Sequence, residues 1–407
     1  MISASEAHCV IQSTNIPNNL YKVVDRPLFD ALGLYLAEDI FAKRNQPPFN
    51  RSMMDGIAIS SLSKNKIFRS ESIARAGFER LTLNDVDNCI EVMTGAPVPE
   101  GCDCVIPYEE IEERDGLFEL IDKDYNIVAY KFIHREGSDY KAEDLLLEKG
   151  RVINSTVISL LSSIGITSVK VLELNSIAIV STGDELVEPG MDLKEHQIYR
   201  SNPYAIRAEI LSFFPNSKVD LFHINDDEKE VLESLSHILE KYKLVIISGG
   251  VSKGKYDYIP SSLKKLSVKE LFHKVKQRPG KPLWFGTGPL EQVVFGLPGN
   301  PVSSLVNTRR HIIPFLEKGL ERPLSTSYRI KASETMEIGS SFTHFIPVSI
   351  SVIDGAIYGR PSTGNNSGDF SKLVFSEGFI EIPSDEGRVI KDKVYDFFPW
   401  GSLEQRI

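Results

Sequence analysis

Three glycine-rich turns follow predicted strands in the second half of the chain, and turns of this kind can bind anions. They read STGDE at 181–185, SGGVS at 248–252 and GLPGNP at 296–301. Glycine lets the backbone approach a ligand closely, and the N–H groups of such a turn can hold anionic oxygens. None of the three matches the Walker A loop or the G-x-G-x-x-G fingerprint. One such turn is explained as well by a tight connection, but three at the strand ends of one sheet favour a binding site.

Positive charge is concentrated near these turns. Five cations and one acid lie between positions 269 and 281, and Lys253 and Lys255 follow the second turn. The whole chain is acidic, with 46 Lys and Arg against 56 Asp and Glu and a formal net charge of −10. Such a local concentration indicates an anionic ligand, although a solvated basic face is the alternative. The RPGKP turn at 278–282 favours the ligand, because it holds Arg278 and Lys281 on a constrained loop.

Carboxylates recur in loops that contain glycine or aromatic residues, at Asp55, Asp139, Glu185 and Asp257. Hard oxygen ligands suit Mg²⁺, which usually takes one or two carboxylates together with substrate phosphate. Each acid taken alone is explained as well by a turn or a helix cap. The chain contains no H-E-x-x-H, nucleophile elbow or C-x-x-C motif, so hydrolase and zinc-enzyme interpretations lack support.

The elements that must position these residues alternate between strands and helices from about residue 175. Strands are predicted at 176–181, 218–223, 244–247 and 292–295, and helices at 202–213, 226–242 and from 301 to about 316. This alternation and the continuous apolar strands predict a doubly wound, mostly parallel α/β sheet. Ligands of such sheets bind beyond the carboxyl ends of the strands, where the three turns lie.

The flanking regions have different patterns. Residues 17–44 carry helical signals, with Leu28, Ala31 and Leu32 recurring on one side. Residues 55–145 and the last ~85 residues read as short strands punctuated by turns, including an acidic hairpin over 109–124. The predicted fold class is therefore α/β plus β-rich modules, in a multi-domain elongated chain with a C-terminal β domain.

Composition excludes several classes of protein. A 42% hydrophobic share over 407 residues supports real cores and excludes wholesale disorder. The acidic balance argues against a general nucleic-acid or membrane-surface binder. No apolar run is long enough for a transmembrane helix and no signal peptide is recognisable, so we expect a cytoplasmic protein. Four cysteines, of which only Cys102 and Cys104 are close, are best read as reduced thiols.

Taken in order, these strings resemble the molybdopterin molybdenumtransferase family, which includes bacterial MoeA and the gephyrin E domain. The resemblance covers nearly the whole chain. Its strings are PFNRSMMDG at 48–56, MTGAPVPEGCD at 93–103, REGSD at 135–139, STGDEL at 181–186, IYRSN at 198–202, SGGVS at 248–252, PGKP at 279–282 and GLPGNP at 296–301. Each string is moderately specific, whereas the ordered set at this spacing is very specific.

The resemblance implies an activity and its cofactors. Such proteins insert molybdenum from molybdate into adenylylated molybdopterin, release AMP and require Mg²⁺. This substrate is a strongly anionic pterin nucleotide, which agrees with the glycine turns and the basic stretch.

The resemblance also implies roles for matching residues. The candidate catalytic residues are Asp55, Thr94, Asp139, Glu185 and Asp257, and the candidate metal ligands among them are Asp55, Glu185 and Asp257. The candidate substrate-binding residues are Asp226, Ser248, Gly249, Gly250, Ser252, Lys274, Arg278, Lys281, Pro298, Pro301 and Ser367. The chain departs from the family pattern at Ser138, which replaces an acid, and at Arg200, which is a cation in place of an acid.

Family members are elongated homodimers of four modules, with each site shared between subunits. The implied modules are 1–46 with 140–174, 47–139, 175–320 and 321–407. A transient contact with a molybdopterin adenylyltransferase is also implied. Two alternatives stay open: a molybdopterin adenylyltransferase, which would resemble only residues ~175–320, and a non-catalytic dimeric scaffold that binds molybdopterin or peptides.

Overall fold

The α/β part of the chain forms a six-stranded sheet in the computed structural model, which describes residues 1–251, 257–320, 328–339, 341–362 and 370–401. Four strands are parallel neighbours and the last two are antiparallel. In spatial order the strands are Val219–Ile224, Ile177–Thr182, Leu244–Ser248, Val293–Leu297, Trp284–Thr287 and Lys269–His273. The predicted doubly wound, mostly parallel sheet is confirmed.

The register of the sheet brings the three glycine-rich turns to one edge. Ser181 pairs with Ser248, and Ser248 pairs with Leu297. Ser248 and Leu297 end their strands and Ser181 is the second-last residue of its strand, so each turn starts at or next to the residue that ends its strand. The turns therefore leave the sheet side by side, as expected for a ligand site in an open α/β sheet.

Helices cover both faces of this sheet and bury two apolar clusters against it. The helix Glu228–Lys241 begins at Asp227, whose side chain accepts hydrogen bonds from the N–H groups of Lys229 and Glu230. Its buried positions recur at helical spacing, as the sequence predicts. The other helices here are Asn202–Phe213, Ile259–Lys265, Pro301–Asn307 and Ile313–Lys318, with a π-helical turn at Thr308–Ile312 between the last two.

The helix predicted over residues 17–44 is wrong. Strand Tyr21–Pro27 pairs along its whole length with Ser168–Leu174, which also pairs with Tyr35–Leu36. Only Leu28–Asp30 forms a short 3-10 helix. The apolar spacing suits a helix, but pairing with a strand about 140 residues away along the chain satisfies the same backbone groups. The α-helices in residues 1–174 are Ala4–Ser13 and Ser155–Ser163.

The C-terminal strands close on themselves as a five-stranded ring around an apolar core. They are Tyr328–Ala332, Thr343–Ile353, Ala356–Pro361, Gly378–Ile382 and Val394–Pro399. Strand Val275–Arg278 of the α/β region pairs in parallel with the first residues of the ring strand Thr343–Ile353, and Arg278 is paired to His344. Ile2–Ser3 pairs with the other side of Val275–Arg278. Smaller elements are Leu186–Val187 with Ile198–Tyr199, Met336–Glu337 with Arg388–Val389, and the 3-10 helix Phe370–Phe375.

The chain divides into two compact units. The first comprises Met1–Glu38, Lys149–Ser162 and Ile166–Ile407, and the second comprises Asp39–Glu148 with Ser163–Gly165. The four-module division remains a prediction. None of the described helices is both long and apolar enough to span a bilayer.

The second unit contains a six-stranded sheet, which confirms the β texture predicted for residues 55–145. In spatial order its strands are Ile111–Arg114, Leu117–Leu120, Ile67–Ala74, Cys89–Val92, Gly56–Ile59 and Cys104–Pro107. The first two form the predicted acidic hairpin. Two small pairs, Arg51–Ser52 with Ile133–His134 and Ile40–Phe41 with Leu145–Leu147, complete the unit.

All four cysteines are free thiols, as predicted. Burial is the largest cause that raises the pKa of Cys89 and Cys102 to about 12 and the pKa of Cys104 to about 11. These three side chains therefore stay protonated and pack as small apolar groups.

Candidate functional site

A cavity of about 420 Å³ opens at the edge of the α/β sheet where the three glycine-rich turns meet. It is lined by eight of the residues predicted from the sequence: Glu185, Asp226, Ser248, Gly249, Gly250, Asp257, Pro298 and Pro301. The cavity combines carboxylates with a glycine turn that can accept an anion. Such a mixture suits a phosphorylated ligand that carries a divalent cation.

The carboxylate of Glu185 folds back over Gly183. Gly183 has φ of +139°, and a Cβ placed on it would lie 2.5 Å from Oε2 and 2.8 Å from Oε1 of Glu185. A side chain at position 183 would strain the backbone and displace this carboxylate. Glycine at this position therefore leaves room for the Glu185 carboxylate in its observed place.

Asn202 ties two of the turns together. Its side-chain amide donates to Ser248 Oγ and to the backbone oxygen of Gly299, each at 2.8 Å. Asn202 is the first residue of helix Asn202–Phe213, so the helix start holds the second and third turns in fixed positions.

Negative charge accumulates around Asp226. Burial, followed by the nearby carboxylates of Asp184, Glu185 and Asp257, raises the pKa of Asp226 above its ordinary value. The N–H of Asp226 donates to the Asp184 carboxylate at 3.0 Å. A bound cation would relieve this repulsion, so the electrostatics of the cavity favour a positively charged group.

Two polar residues of the cavity wall were not assigned roles from the sequence. Thr182 is 5% exposed, and its hydroxyl has no hydrogen-bond partner among the described residues. Arg200 lines the same cavity, and its guanidinium donates to Glu188 and, at 3.3 Å, to the Tyr204 hydroxyl. The departure from the family pattern at position 200 therefore places a cation in the wall of the site.

A second cavity of about 360 Å³ lies between the basic loop and the C-terminal ring. Arg278 and Lys281 line it together with Phe342 and His344. Burial, followed by the charge of Arg278, lowers the pKa of His344 below its ordinary value. The next loop residue, Pro282, lines the first cavity, so the basic loop lies between both.

Lys274 lines neither of these two cavities. Its N–H donates to Leu283 O at 2.9 Å, and its own backbone oxygen accepts from Ile2 at 3.2 Å. The predicted substrate-binding residues Ser252 and Ser367 lie outside the described residues. Within the described ranges, no group of three or more His, Cys, Asp or Glu side chains is arranged to hold a metal ion.

The remaining predicted residues lie in the second unit, where Asp55 is held by Thr94. The N–H and the hydroxyl of Thr94 both donate to Oδ1 of Asp55, at 2.6 and 2.7 Å. The backbone hydrogen bond and then the hydroxyl bond lower the pKa of Asp55 below its ordinary value. The Asp55 carboxylate is thereby kept ionised on an exposed loop.

Asp139 is held in the same unit by an imidazole whose orientation is fixed. Arg51 reaches His134 Nδ1 at 3.0 Å through Nη2, and His134 Nε2 lies 2.7 Å from Asp139 Oδ1. A guanidinium can only donate, so Nδ1 accepts and Nε2 donates to Asp139. The two positioning residues, Arg51 and His134, were missed from the sequence because they precede Asp139 by 88 and 5 positions without a recognised spacing.

Known proteins match both parts of the chain. Residues 2–165 match the family described as MoeA N-terminal region (domain I and II), and residues 178–318 match the family described as probable molybdopterin binding domain. A molybdopterin molybdenumtransferase from Synechocystis is 35% identical over 98% of this chain and 100% of its own length. The chain belongs to the molybdopterin molybdenumtransferase family.

Further relatives of the family agree. A molybdopterin molybdenumtransferase from Staphylococcus epidermidis is 32% identical over 89% of this chain and 87% of its own length. A solved structure of a MoeA protein from Pyrococcus horikosii is 26% identical and has a TM-score of 0.81, covering 99% of this chain and 100% of that one. The assignment to a transferase of molybdenum cofactor biosynthesis, with the fold of this family, is confirmed.

Proposed function

We propose that the protein transfers molybdenum from molybdate to adenylylated molybdopterin, with release of AMP and with Mg²⁺ as cofactor. The observation that carries this proposal is the cavity at the sheet edge. There the carboxylates of Glu185, Asp226 and Asp257 lie around the turn of Gly249 and Gly250. Family membership supplies the reaction class, and this cavity supplies groups for an anionic nucleotide.

Each part of the cavity has a role in binding. Ser248 and the N–H group of Gly250 are proposed to hold phosphate oxygens, since glycine leaves the backbone accessible. The N–H of Gly249 donates to Leu297 O at 3.1 Å, so Gly249 contributes the turn conformation rather than a donor. Arg278 and Lys281 add positive charge from the adjacent basic loop. Asn202 keeps the turns in place, so the phosphate groups meet donors that need no rearrangement.

The donor chemistry of the cavity fits Mg²⁺. Glu185, Asp226 and Asp257 supply hard oxygen ligands, and burial, followed by the charges of the nearby carboxylates, raises the pKa of Asp226. Mg²⁺ usually takes one or two carboxylates and completes its shell with water and substrate phosphate. We propose that Glu185 and Asp257 hold the ion, while the metal-ligand role predicted for Asp55 stays a prediction. When bound, it would supply charge stabilisation at the phosphate groups.

The chemical demand of the reaction lies at the phosphoanhydride bond to AMP. Its cleavage needs an oxygen nucleophile at phosphorus and stabilisation of negative charge on the leaving phosphate. Asp55 is kept ionised by Thr94, and Asp139 is oriented by His134, so both carboxylates are prepared to bind or orient cationic or protic groups. We propose these two as catalytic carboxylates, as the resemblance implies.

Reconstitution tests this function. Purified protein is incubated with adenylylated molybdopterin, molybdate and Mg²⁺, and the product is offered to a molybdenum-free molybdoenzyme. Release of AMP together with recovery of that enzyme's activity supports the proposal. Tight binding without turnover would favour a scaffold, and formation of adenylylated molybdopterin from ATP would favour an adenylyltransferase.

We further propose a cytoplasmic homodimer in which residues of both subunits complete each site, with transient contact to a molybdopterin adenylyltransferase. Light scattering tests the dimer, and mixing the inactive variants Asp55→Asn and Glu185→Gln after dissociation tests the sharing. Random pairing would restore about a quarter of the wild-type activity, because half of the dimers would each have one intact site. No recovery in proven heterodimers would contradict shared sites.

A further inference from the structure

The basic loop at 278–282 rests on buried polar side chains. Gln277 is 1% exposed, and Asn307 and His311 are 0% exposed. Gln277 precedes Arg278 at the end of strand Val275–Arg278, whereas Asn307 ends helix Pro301–Asn307. His311 lies in the π-helical turn Thr308–Ile312. The three polar side chains meet behind the two cations that line the second cavity.

Donor and acceptor can be assigned for each hydrogen bond in this group of side chains. Gln277 Nε2 donates to Asn307 Oδ1 at 2.7 Å and to Gly280 O at 3.2 Å. Asn307 Nδ2 also reaches Gly280 O, at 3.5 Å. The remaining group of the Gln277 amide is its oxygen, so His311 Nε2 donates to it at 3.2 Å. Burial lowers the pKa of His311 well below its ordinary value, which keeps this ring neutral.

The loop backbone lies directly on the two amides. Gly280 has φ of +92°, and a Cβ there would lie 2.5 Å from Asn307 Nδ2 and 2.9 Å from Gln277 Nε2. The loop is also closed by a backbone bond from Val275 N to Lys281 O at 2.9 Å. The two amides therefore contact the backbone between Arg278 and Lys281 directly, through Gly280.

The π-helical turn that carries His311 is itself anchored on two sides. Arg309 Nε donates to Pro399 O at 2.7 Å, and Arg310 Nε donates to Glu381 at 2.7 Å, so both reach the C-terminal ring. Arg310 also reaches His8 Nδ1 of the N-terminal helix at 2.9 Å. The π-helical turn that follows Asn307 and carries His311 is thus held in place by hydrogen bonds on both sides.

We propose that Gln277, Asn307 and His311 are positioning residues for the anion-binding loop, and that they set the orientation of Arg278 and Lys281 toward an oxyanion. This inference rests on the proposed function, because it concerns binding of the anionic substrates by that loop. A buried polar group leaves few alternative arrangements, since each unmet hydrogen bond is costly. The network therefore favours one loop conformation over others.

Gln277→Met tests the network, with Gln292→Met as the matched control. Gln292 is a glutamine of similar burial, 2% exposed, that directly precedes strand Val293–Leu297 of the α/β sheet. Its amide donates to Leu239 O at 2.7 Å, and it lines neither cavity. Calorimetry measures the Kd of full-length protein for molybdate and for AMP. We expect Gln277→Met to raise one or both Kd values about tenfold or more, and Gln292→Met to leave them within about twofold at a similar loss of melting temperature.

His311 allows a second test, because it contacts the Gln277 amide and not the loop itself. His311→Phe keeps a ring but loses the donor, and we expect a Kd change in the same direction as Gln277→Met. His311→Gln keeps a side-chain N–H, and we expect it to restore binding to within about threefold of wild type. If Gln277→Met does not fold, comparison of His311→Phe with His311→Gln tests the positioning role instead. Equal Kd values in all folded variants would overturn the proposal.

Hydrogen exchange of the loop separates this proposal from the proposed function. We expect the backbone N–H groups of Arg278, Gly280, Lys281 and Leu283 to exchange faster in Gln277→Met and in His311→Phe than in wild type and Gln292→Met. Unchanged exchange in both network variants would overturn the positioning role whatever the activity. Faster exchange in a protein whose wild type neither binds molybdate nor AMP would support the positioning role and overturn the proposed function instead.

Discussion

Thr94 donates both its backbone N–H and its hydroxyl to the same carboxylate oxygen of Asp55, at 2.6 and 2.7 Å. The two residues are 39 positions apart, and each belongs to a loop that follows a strand of the second unit. Two donors on one oxygen stabilise the ionised form of Asp55 and leave its other oxygen free to face a ligand. Thr94 thus orients the Asp55 carboxylate and favours its ionised form.

Removal of the Thr94 hydroxyl should weaken catalysis without unfolding the protein. We expect Thr94→Val to lower kcat for AMP release about tenfold and Thr94→Ser to keep it near wild type. The pKa of Asp55 should rise toward its ordinary value, so the acidic limb of the rate profile should move to higher pH. An unshifted profile in Thr94→Val would show that Asp55 does not depend on this bond.

A side chain at position 183 should displace Glu185. We expect Gly183→Ala to lower kcat about a hundredfold, because the added Cβ would lie 2.5 Å from the Glu185 carboxylate. Gly190→Ala is the control, since Gly190 also has a positive φ, +94°, but no atom within 4 Å of an added Cβ. Both variants should lose some thermal stability. Equal activities in the two would point to backbone strain alone.

Lys281 should contribute to nucleotide binding through its charge. We expect Lys281→Ala to raise the Kd for AMP and to flatten its dependence on salt between about 50 and 300 mM. Lys276→Ala is the control, because Lys276 is exposed and lines neither cavity. Titration calorimetry at both salt concentrations measures the effect. The same salt slope in Lys281→Ala and wild type would count against a phosphate role for this residue.

The protein should lose stability in mild acid through His8. Burial, followed by the charge of Arg310, lowers the pKa of His8 to about 4 from an ordinary value of 6.5. Between these values the unfolded chain binds the proton more readily, so stability is lost as pH falls from about 6.5 toward 4. His8→Gln keeps an acceptor for Arg310 and removes the titration.

Melting temperatures at pH 7 and pH 5 check this assignment. We expect the decrease from the higher to the lower pH to be about 1 °C smaller in His8→Gln than in wild type, after allowance for partial exposure of the ring. Identical decreases would assign the acid sensitivity to other groups.

The strand ends of the α/β sheet could be predicted because their signals are local. Continuous apolar runs followed by glycine predict strand ends before Glu185 and before Gly249. The register of the two strands then brings both residues to the same edge of the sheet. Strand Tyr21–Pro27 could not be predicted, because its partner lies about 140 residues further along the chain. Its apolar spacing fits a helix equally well.

The supports of the site were missed for a similar reason. Gln277 touches Asn307 and His311 only because strand Val275–Arg278 lies against a helix 30 residues later. His344 pairs with Arg278 because that strand joins the C-terminal ring. Turn motifs identify the groups that meet a ligand, whereas the side chains behind them depend on tertiary contacts that leave no local pattern.

Molybdate-dependent release of AMP from adenylylated molybdopterin tests the central claim most directly. The assay compares wild type with Asp55→Asn and Glu185→Gln, each shown to be folded by its melting temperature. We expect AMP release by wild type in the presence of Mg²⁺ and its loss, by about a hundredfold or more, in both variants. Wild-type turnover in both variants, or no AMP release by wild type, would contradict this claim.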